Sequence, residues 1–206
     1  MHRESGPPVS TLSESATLAL SDAVGRLDGH GALVMCGFPG SGKSTAARYL
    51  AARAGASVLD KDSLAPRLEQ SVMLRLTGDP FDRDSDTYRS VVAPGIYDSL
   101  IRTALTIAVR HPIVLDAPFL SPIRQAAAAG ILLREHLHTF HEGPLSPSVT
   151  TIWLDSSITD IRARMLSRGA GRDASKLANW EAYRSDVLDS GVREIAHSVV
   201  DFVISN

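Results

Sequence analysis

One segment, Gly37-Phe38-Pro39-Gly40-Ser41-Gly42-Lys43-Ser44, restricts what this chain can fold into more than any other. It satisfies G-x-x-x-x-G-K-[ST] at every fixed position. An apolar run, Ala32 to Cys36, precedes it, and an alanine-rich, helix-favouring stretch, Ala46 to Ala54, follows. A strand that feeds such a loop and a helix that leaves it make the motif physically useful. Small residues let backbone N–H groups turn inward around phosphate oxygens, and the unpaired amides at the helix start favour negative charge. A glycine-rich turn with a merely solvated lysine is the bland alternative, and it does not account for every fixed position in that setting. The expected nucleotide contacts are Gly37, Gly40, Ser41 and Gly42 around the phosphates and Lys43 at the β and γ groups. Thr45 is expected near the α group, and the Ser44 hydroxyl on a nucleotide-bound Mg2+.

Strand-like and helix-like segments alternate along the rest of the chain. The expected strands are Ala32–Cys36, Ser57–Asp60, Ile113–Ala117, Val149–Leu154 and Val199–Ile204; the expected helices are Ala46–Ala54, Leu64–Leu76, Pro94–Arg110, Ile123–Phe140, a Ser157-capped helix to Arg168, and Ser175–Leu188. This pattern predicts an α/β, three-layer P-loop NTPase fold: a mostly parallel five-stranded sheet, helices on both faces and a small helical lid. Residues 1–30 are expected to form a mobile tail, Met1 to about Ser10, plus a lead-in helix bearing Leu12, Ala16, Leu20 and Val24. Residues 31–206 are expected to form the main domain. A length of 206 residues with 44% hydrophobic side chains suits one core.

A net charge of -2 supplies no general positive field for nucleic acid, so nucleic acid is not the expected partner. The lone Cys36 forbids an internal disulfide framework, and the absence of a long apolar run argues against a membrane span; the expected location is cytoplasmic. Asn-Lys-x-Asp is missing, and the Asp-x-x-Gly match, Asp22 to Gly25, precedes the loop, so a GTPase switch is disfavoured. About 160 residues follow Lys43, little room for the extra domain of a motor ATPase.

Three further segments carry chemistry. Leu59-Asp60-Lys61-Asp62-Ser63 ends the second strand with carboxylates. Ile113-Val114-Leu115-Asp116 ends the third strand with an acid, as a Walker B element does, and Asp116 is the expected second Mg2+ ligand. The run from Ile161 to Asp173 sets Arg164, Arg168 and Arg172 beside two glycines. With these segments the chain resembles the small P-loop kinases, particularly the zeta-toxin-like and chloramphenicol-phosphotransferase-like groups, from about Ala32 onward.

That resemblance implies a kinase moving the γ-phosphoryl group of ATP or GTP to a hydroxyl on a small molecule, an antibiotic among the candidates. It implies Asp62 as proton acceptor, with Asp60 second in line; the bland alternative is that Asp62 simply caps the following helix. It implies a lid over about 164–175, with Arg168 and Arg172 acting on the transferring phosphoryl and Arg164 packed or on the donor. Asp86, Tyr88 and Arg89, in a charged loop, are candidate acceptor contacts, although such loops are often simply solvated. Trp180 and Tyr183 are expected to be buried, and His136, His138 and His141 lack metal-site spacing. Two rivals stay open: a regulatory NTP-binding protein and, less favoured, a polynucleotide end kinase.

Overall fold

The computed structural model describes residues 12–25, 27 and 29–206; the expected tail lies outside them. β1 (Gly31–Cys36) is the middle strand of a five-stranded, all-parallel sheet ordered β2–β3–β1–β4–β5. The others are β2 (Ser57–Asp60), β3 (Pro112–Asp116), β4 (Val149–Asp155) and β5 (Phe202–Ser205). Every residue of β1 is buried because both faces of the sheet are covered. Ala32, Val34 and Cys36 point into one apolar cluster, while Leu33 and Met35 point into the other.

The second cluster is closed by α1 (Glu14–Val24) and α2 (Lys43–Ala54). Ser13 caps α1 by accepting the Ala16 N–H at 3.1 Å, and Ala16, Leu20 and Ala23 form its buried stripe. The lead-in helix is therefore packed on the sheet. The first cluster is larger and takes side chains from α5 (Ala93–Ala108), α6 (Leu120–Ala128), α7 (Leu133–His138), α8 (Ile158–Arg168), α10 (Trp180–Tyr183) and α11 (Val192–Val199). Three more helices, α3 (Lys61–Leu64), α4 (Pro66–Thr77) and α9 (Gly171–Ala178), lie at the carboxyl end of the sheet. Among the described residues no helix is long and apolar enough to cross a membrane.

Several expected boundaries move, each for a local reason. The helix expected from Leu64 is broken at Ala65, because the residue before a proline avoids helical angles, and α4 starts at Pro66. The helix expected over Ile123–Phe140 divides at Gly130, whose φ of +68° ends α6; Glu135 then accepts the Leu132 N–H at 3.0 Å to start α7. The Ser175–Leu188 segment begins earlier, at Gly171, breaks at Asn179 and ends in a π-helical turn, Arg184–Leu188. Val199 belongs to α11, a helix the sequence pattern left unassigned, and the last strand starts at Phe202. The cap at Ser157 is present, accepting the Asp160 N–H at 3.0 Å.

Candidate active site

Parallel strands all present their carboxyl ends on one side, and loops leaving that side form a cleft of about 2140 Å³. Single-ligand sites run to roughly 300–1,000 Å³, so the cleft has room for two substrates. At one end is the loop between β1 and α2. Pro39, Gly40, Gly42, Lys43, Ser44 and Thr45 line the cleft. Gly37 and Ser41, expected at the phosphates, do not line it. Gly37 sits at φ +141°, where a Cβ would come within 2.7 Å of the Leu154 carbonyl oxygen, so its role is close approach to β4. Ser41 is fully buried, and its carbonyl accepts from Ser156 Oγ at 2.8 Å and Arg164 Nη1 at 2.9 Å. These contacts hold the loop from behind.

Lys43 is buried and donates to the Phe38 carbonyl at 2.8 Å. Burial pushes its ammonium down to about 8, against the opposing fields of Asp116 and Asp62. The register places Met35 beside Asp116, so β3 is the neighbour of β1 that a Walker B role requires. Asp116 is buried; burial raises its carboxyl, with Lys43 and the Ser44 hydroxyl pulling the other way. A hydroxyl and a carboxylate side by side are hard oxygen donors that fit Mg2+ as it binds beside a nucleotide, with few protein ligands. Among the described residues no group of three or more His, Cys, Asp or Glu is arranged to hold a metal.

Across the cleft, the turn after β2 separates the two candidate aspartates. Asp60 is the cap: its carboxylate accepts the Asp62 N–H at 3.0 Å and the Ser63 hydroxyl at 2.8 Å. Asp62 is thereby released from capping. Its carboxylate is 3.2 Å from the Lys61 ammonium and paired with Arg172 Nη1. Burial pushes the Asp62 carboxyl up, but Lys61 and Arg172 together outweigh it and hold the group below the ordinary range.

The expected lid is α8, a left-handed Gly169 and α9. Arg164 reaches back to the Ser41 carbonyl and the Ser156 hydroxyl, so its contact is with the phosphate loop itself. Arg168 makes two hydrogen bonds, 2.8 and 2.6 Å, to the buried Asp173. Arg172 crosses to Asp62, and Lys176 crosses to Asp84 at 2.7 Å. The lid is thus tied by two ion pairs to the opposite wall.

On that wall the expected acceptor contacts diverge. Asp86 is 97% exposed, pairs with Arg89 on the surface and does not line the cleft; a charged loop pair is well solvated there. Arg89 lies at the rim, and Tyr88 is buried with its hydroxyl donating to Glu69 at 2.7 Å. Lys61, Glu69 and Lys176, which carry the buried contacts of this wall, were not singled out from the sequence. Their burial is invisible in sequence, although a lysine directly between two aspartates was a usable signal. Trp180 and Tyr183 are both buried, Cys36 is a buried core thiol pushed up by desolvation, and the three histidines form no cluster.

A family model described as an AAA domain matches residues 33–194, from β1 into α11. The chain belongs to that AAA domain family. Uncharacterised proteins of Mycobacterium bovis and Mycobacterium tuberculosis are 33% identical over 175 residues, 79% of this chain and 32% of theirs. The chain spans about a third of the length of these curated relatives. Among solved structures, an unliganded sugar kinase from Janibacter sp. is 20% identical over 86% of this chain and 84% of that one, with a TM-score of 0.47. A shikimate kinase from Acinetobacter baumannii is 19% identical over 90% and 87%, TM-score 0.42. A gluconokinase from Sinorhizobium meliloti is 22% identical over 84% and 90%, TM-score 0.44. Likeness at this level says nothing of what this chain acts on.

Proposed function

We propose that the protein is a Mg2+-dependent kinase transferring the γ-phosphoryl group of ATP or GTP to a hydroxyl of a small molecule. One observation carries this: a single two-substrate cleft joins buried Lys43 and the Ser44–Asp116 pair to Asp62, under arginines from one lid. Lys43 exchanges the Phe38 carbonyl for phosphate oxygens. Ser44 and Asp116 would hold Mg2+, which when bound would supply positive charge to the triphosphate. Asp62 accepts the proton of the acceptor hydroxyl as that oxygen bonds to the γ phosphorus; the bond from the γ phosphorus to the bridging oxygen breaks, and the nucleoside diphosphate departs. Asp62 needs no raised pKa, since the proton moves late. Arg168 and Arg172 are assigned to charge on the transferring group, and Arg164 to the loop that holds the donor.

The resemblance to the zeta-toxin-like and chloramphenicol-phosphotransferase-like groups supports a hydroxylated antibiotic as one acceptor class and a cytoplasmic setting. Sugars and nucleosides belong in the same panel. The test is incubation with Mg2+, ATP or GTP and hydroxylated antibiotics, sugars and nucleosides, read by mass spectrometry. One acceptor should gain a phosphoryl group, and Lys43→Ala should abolish the product. Nucleotide binding without any phosphorylated product would instead support a regulatory NTP-binding role.

A further inference from the structure

Behind the acceptor wall lies a buried charge cluster that the scheme above does not use. Lys61, at the start of α3, turns its side chain inward and is 8% exposed. Its ammonium donates to the Tyr88 hydroxyl at 3.0 Å and to Glu69 Oε1 at 3.4 Å. Glu69, on α4 and 4% exposed, also accepts from the Tyr88 hydroxyl at 2.7 Å and pairs with Arg83 Nε at 3.0 Å. Two other segments of chain, those bearing Glu69 and Tyr88, therefore fix one ammonium, and its remaining side is 3.2 Å from Asp62 Oδ1.

Asp62 has two cationic partners of different kinds. Arg172 is 41% exposed and sits on α9, just past Gly169, which is in the left-handed region with open space around it. It can leave. Lys61 cannot follow a substrate without breaking its bonds to both Tyr88 and Glu69, and pulling a buried ammonium out of its pairing is costly. The remaining charges near Asp62 are Lys43 and Asp116 from the donor end, while Tyr88 is a neutral neighbour.

We propose that Lys61 is the positioning residue of Asp62: clamped by Glu69 and Tyr88, it keeps the carboxylate facing the cleft when Arg172 turns to the phosphoryl group. The effect on turnover rests on the kinase assignment; the clamp itself does not. Removing an adjacent cation raises a carboxyl by about one unit or more.

The clamp is tested without substrate by titrating the Asp62 carboxyl carbon by NMR in the ligand-free wild type, in Lys61→Met and in Lys61→Met/Glu69→Gln. The double variant removes both buried charges together and keeps an acceptor for Tyr88, so it guards against simple misfolding. Its Asp62 midpoint should rise by about one unit, and an unchanged midpoint would overturn the proposal. With an acceptor in hand, Lys61→Met should lower kcat by about 10- to 100-fold, with KM and nucleotide Kd within about threefold. Lys61→Arg should restore part of that loss. A parallel rise of KM and nucleotide Kd, without a specific loss of kcat, would mark Lys61 as merely structural and sink the assignment. If the wild type phosphorylates nothing, the kinase assignment fails while the titration still decides the clamp.

Discussion

Asp60 and Asp62 stand two positions apart and face different tasks, because a capping carboxylate folds back over its own turn while the next acid on the turn faces outward. Asp62→Asn should cut phosphoryl transfer by about 10²- to 10⁴-fold and leave nucleotide Kd within about twofold, as steady-state kinetics and calorimetry would show. Asp60→Ala should cost about 1 kcal/mol in urea unfolding, with a much smaller effect on kcat. If Asp60→Ala proves the more damaging to turnover, the two roles are reversed. The sequence showed two acids there and could not say which capped, since that depends on where the turn begins. The place of Lys43 between β1 and α2 was legible outright; its lowered ammonium was not, because burial depends on the packed sheet. Phosphate should keep Lys43 charged, so binding takes up a proton wherever the free protein has lost it. Affinity should therefore weaken as pH climbs through about 8 towards the ordinary lysine range. Calorimetry in buffers of different ionisation enthalpy would show proton uptake at pH above 8 and little near 7; equal affinity across that span would contradict the buried-lysine account.

At the scale of elements, the lid shows how spacing reveals a segment but not its partners. Two glycines among arginines marked the break between α8 and α9, yet nothing in the sequence joined Arg168 to Asp173, Arg172 to Asp62 or Lys176 to Asp84. α11 was overlooked although Val192, Ala196 and Val199 follow helical spacing, because the helix has only eight residues and abuts the last strand. The strands were easier to read, since each is bounded by glycine, proline or aspartate near an observed end. Arg168 and Arg172 are both already engaged, so on the proposed reading each would exchange a carboxylate for phosphate. Arg172→Ala should lower kcat by about 10³-fold or more if it meets the transferring group. Arg168→Ala leaves the buried Asp173 without its guanidinium and should also reduce stability. Thermal unfolding alongside kinetics separates the two: a stable, inactive Arg172→Ala and a less stable Arg168→Ala. Full activity in Arg172→Ala would remove that residue from the chemistry.

For the molecule as a whole, the phosphate loop is held from the far side of the sheet as well as from the lid. Asn206, just past β5, accepts the Ser13 N–H at 3.0 Å through Oδ1 and donates Nδ2 to the Ser41 carbonyl at 3.4 Å. The Ser21 and Tyr49 hydroxyls join α1 to α2 at 2.7 Å. The start of α1 is thus linked through one asparagine to the loop that would hold the donor, an arrangement no local pattern could disclose. Leu20 is fully buried in the cluster shared by α1, α2 and the sheet. Truncating it removes apolar contacts and leaves a cavity that a helix tied at Ser13 and Ser21 cannot readily collapse. Leu20→Ala should therefore lower unfolding free energy by about 2–5 kcal/mol in urea titration. It lies outside the cleft lining, so nucleotide Kd of the folded fraction should change by less than about twofold. A loss well below 1 kcal/mol would mean that α1 is a loosely attached appendage instead of a wall of the core.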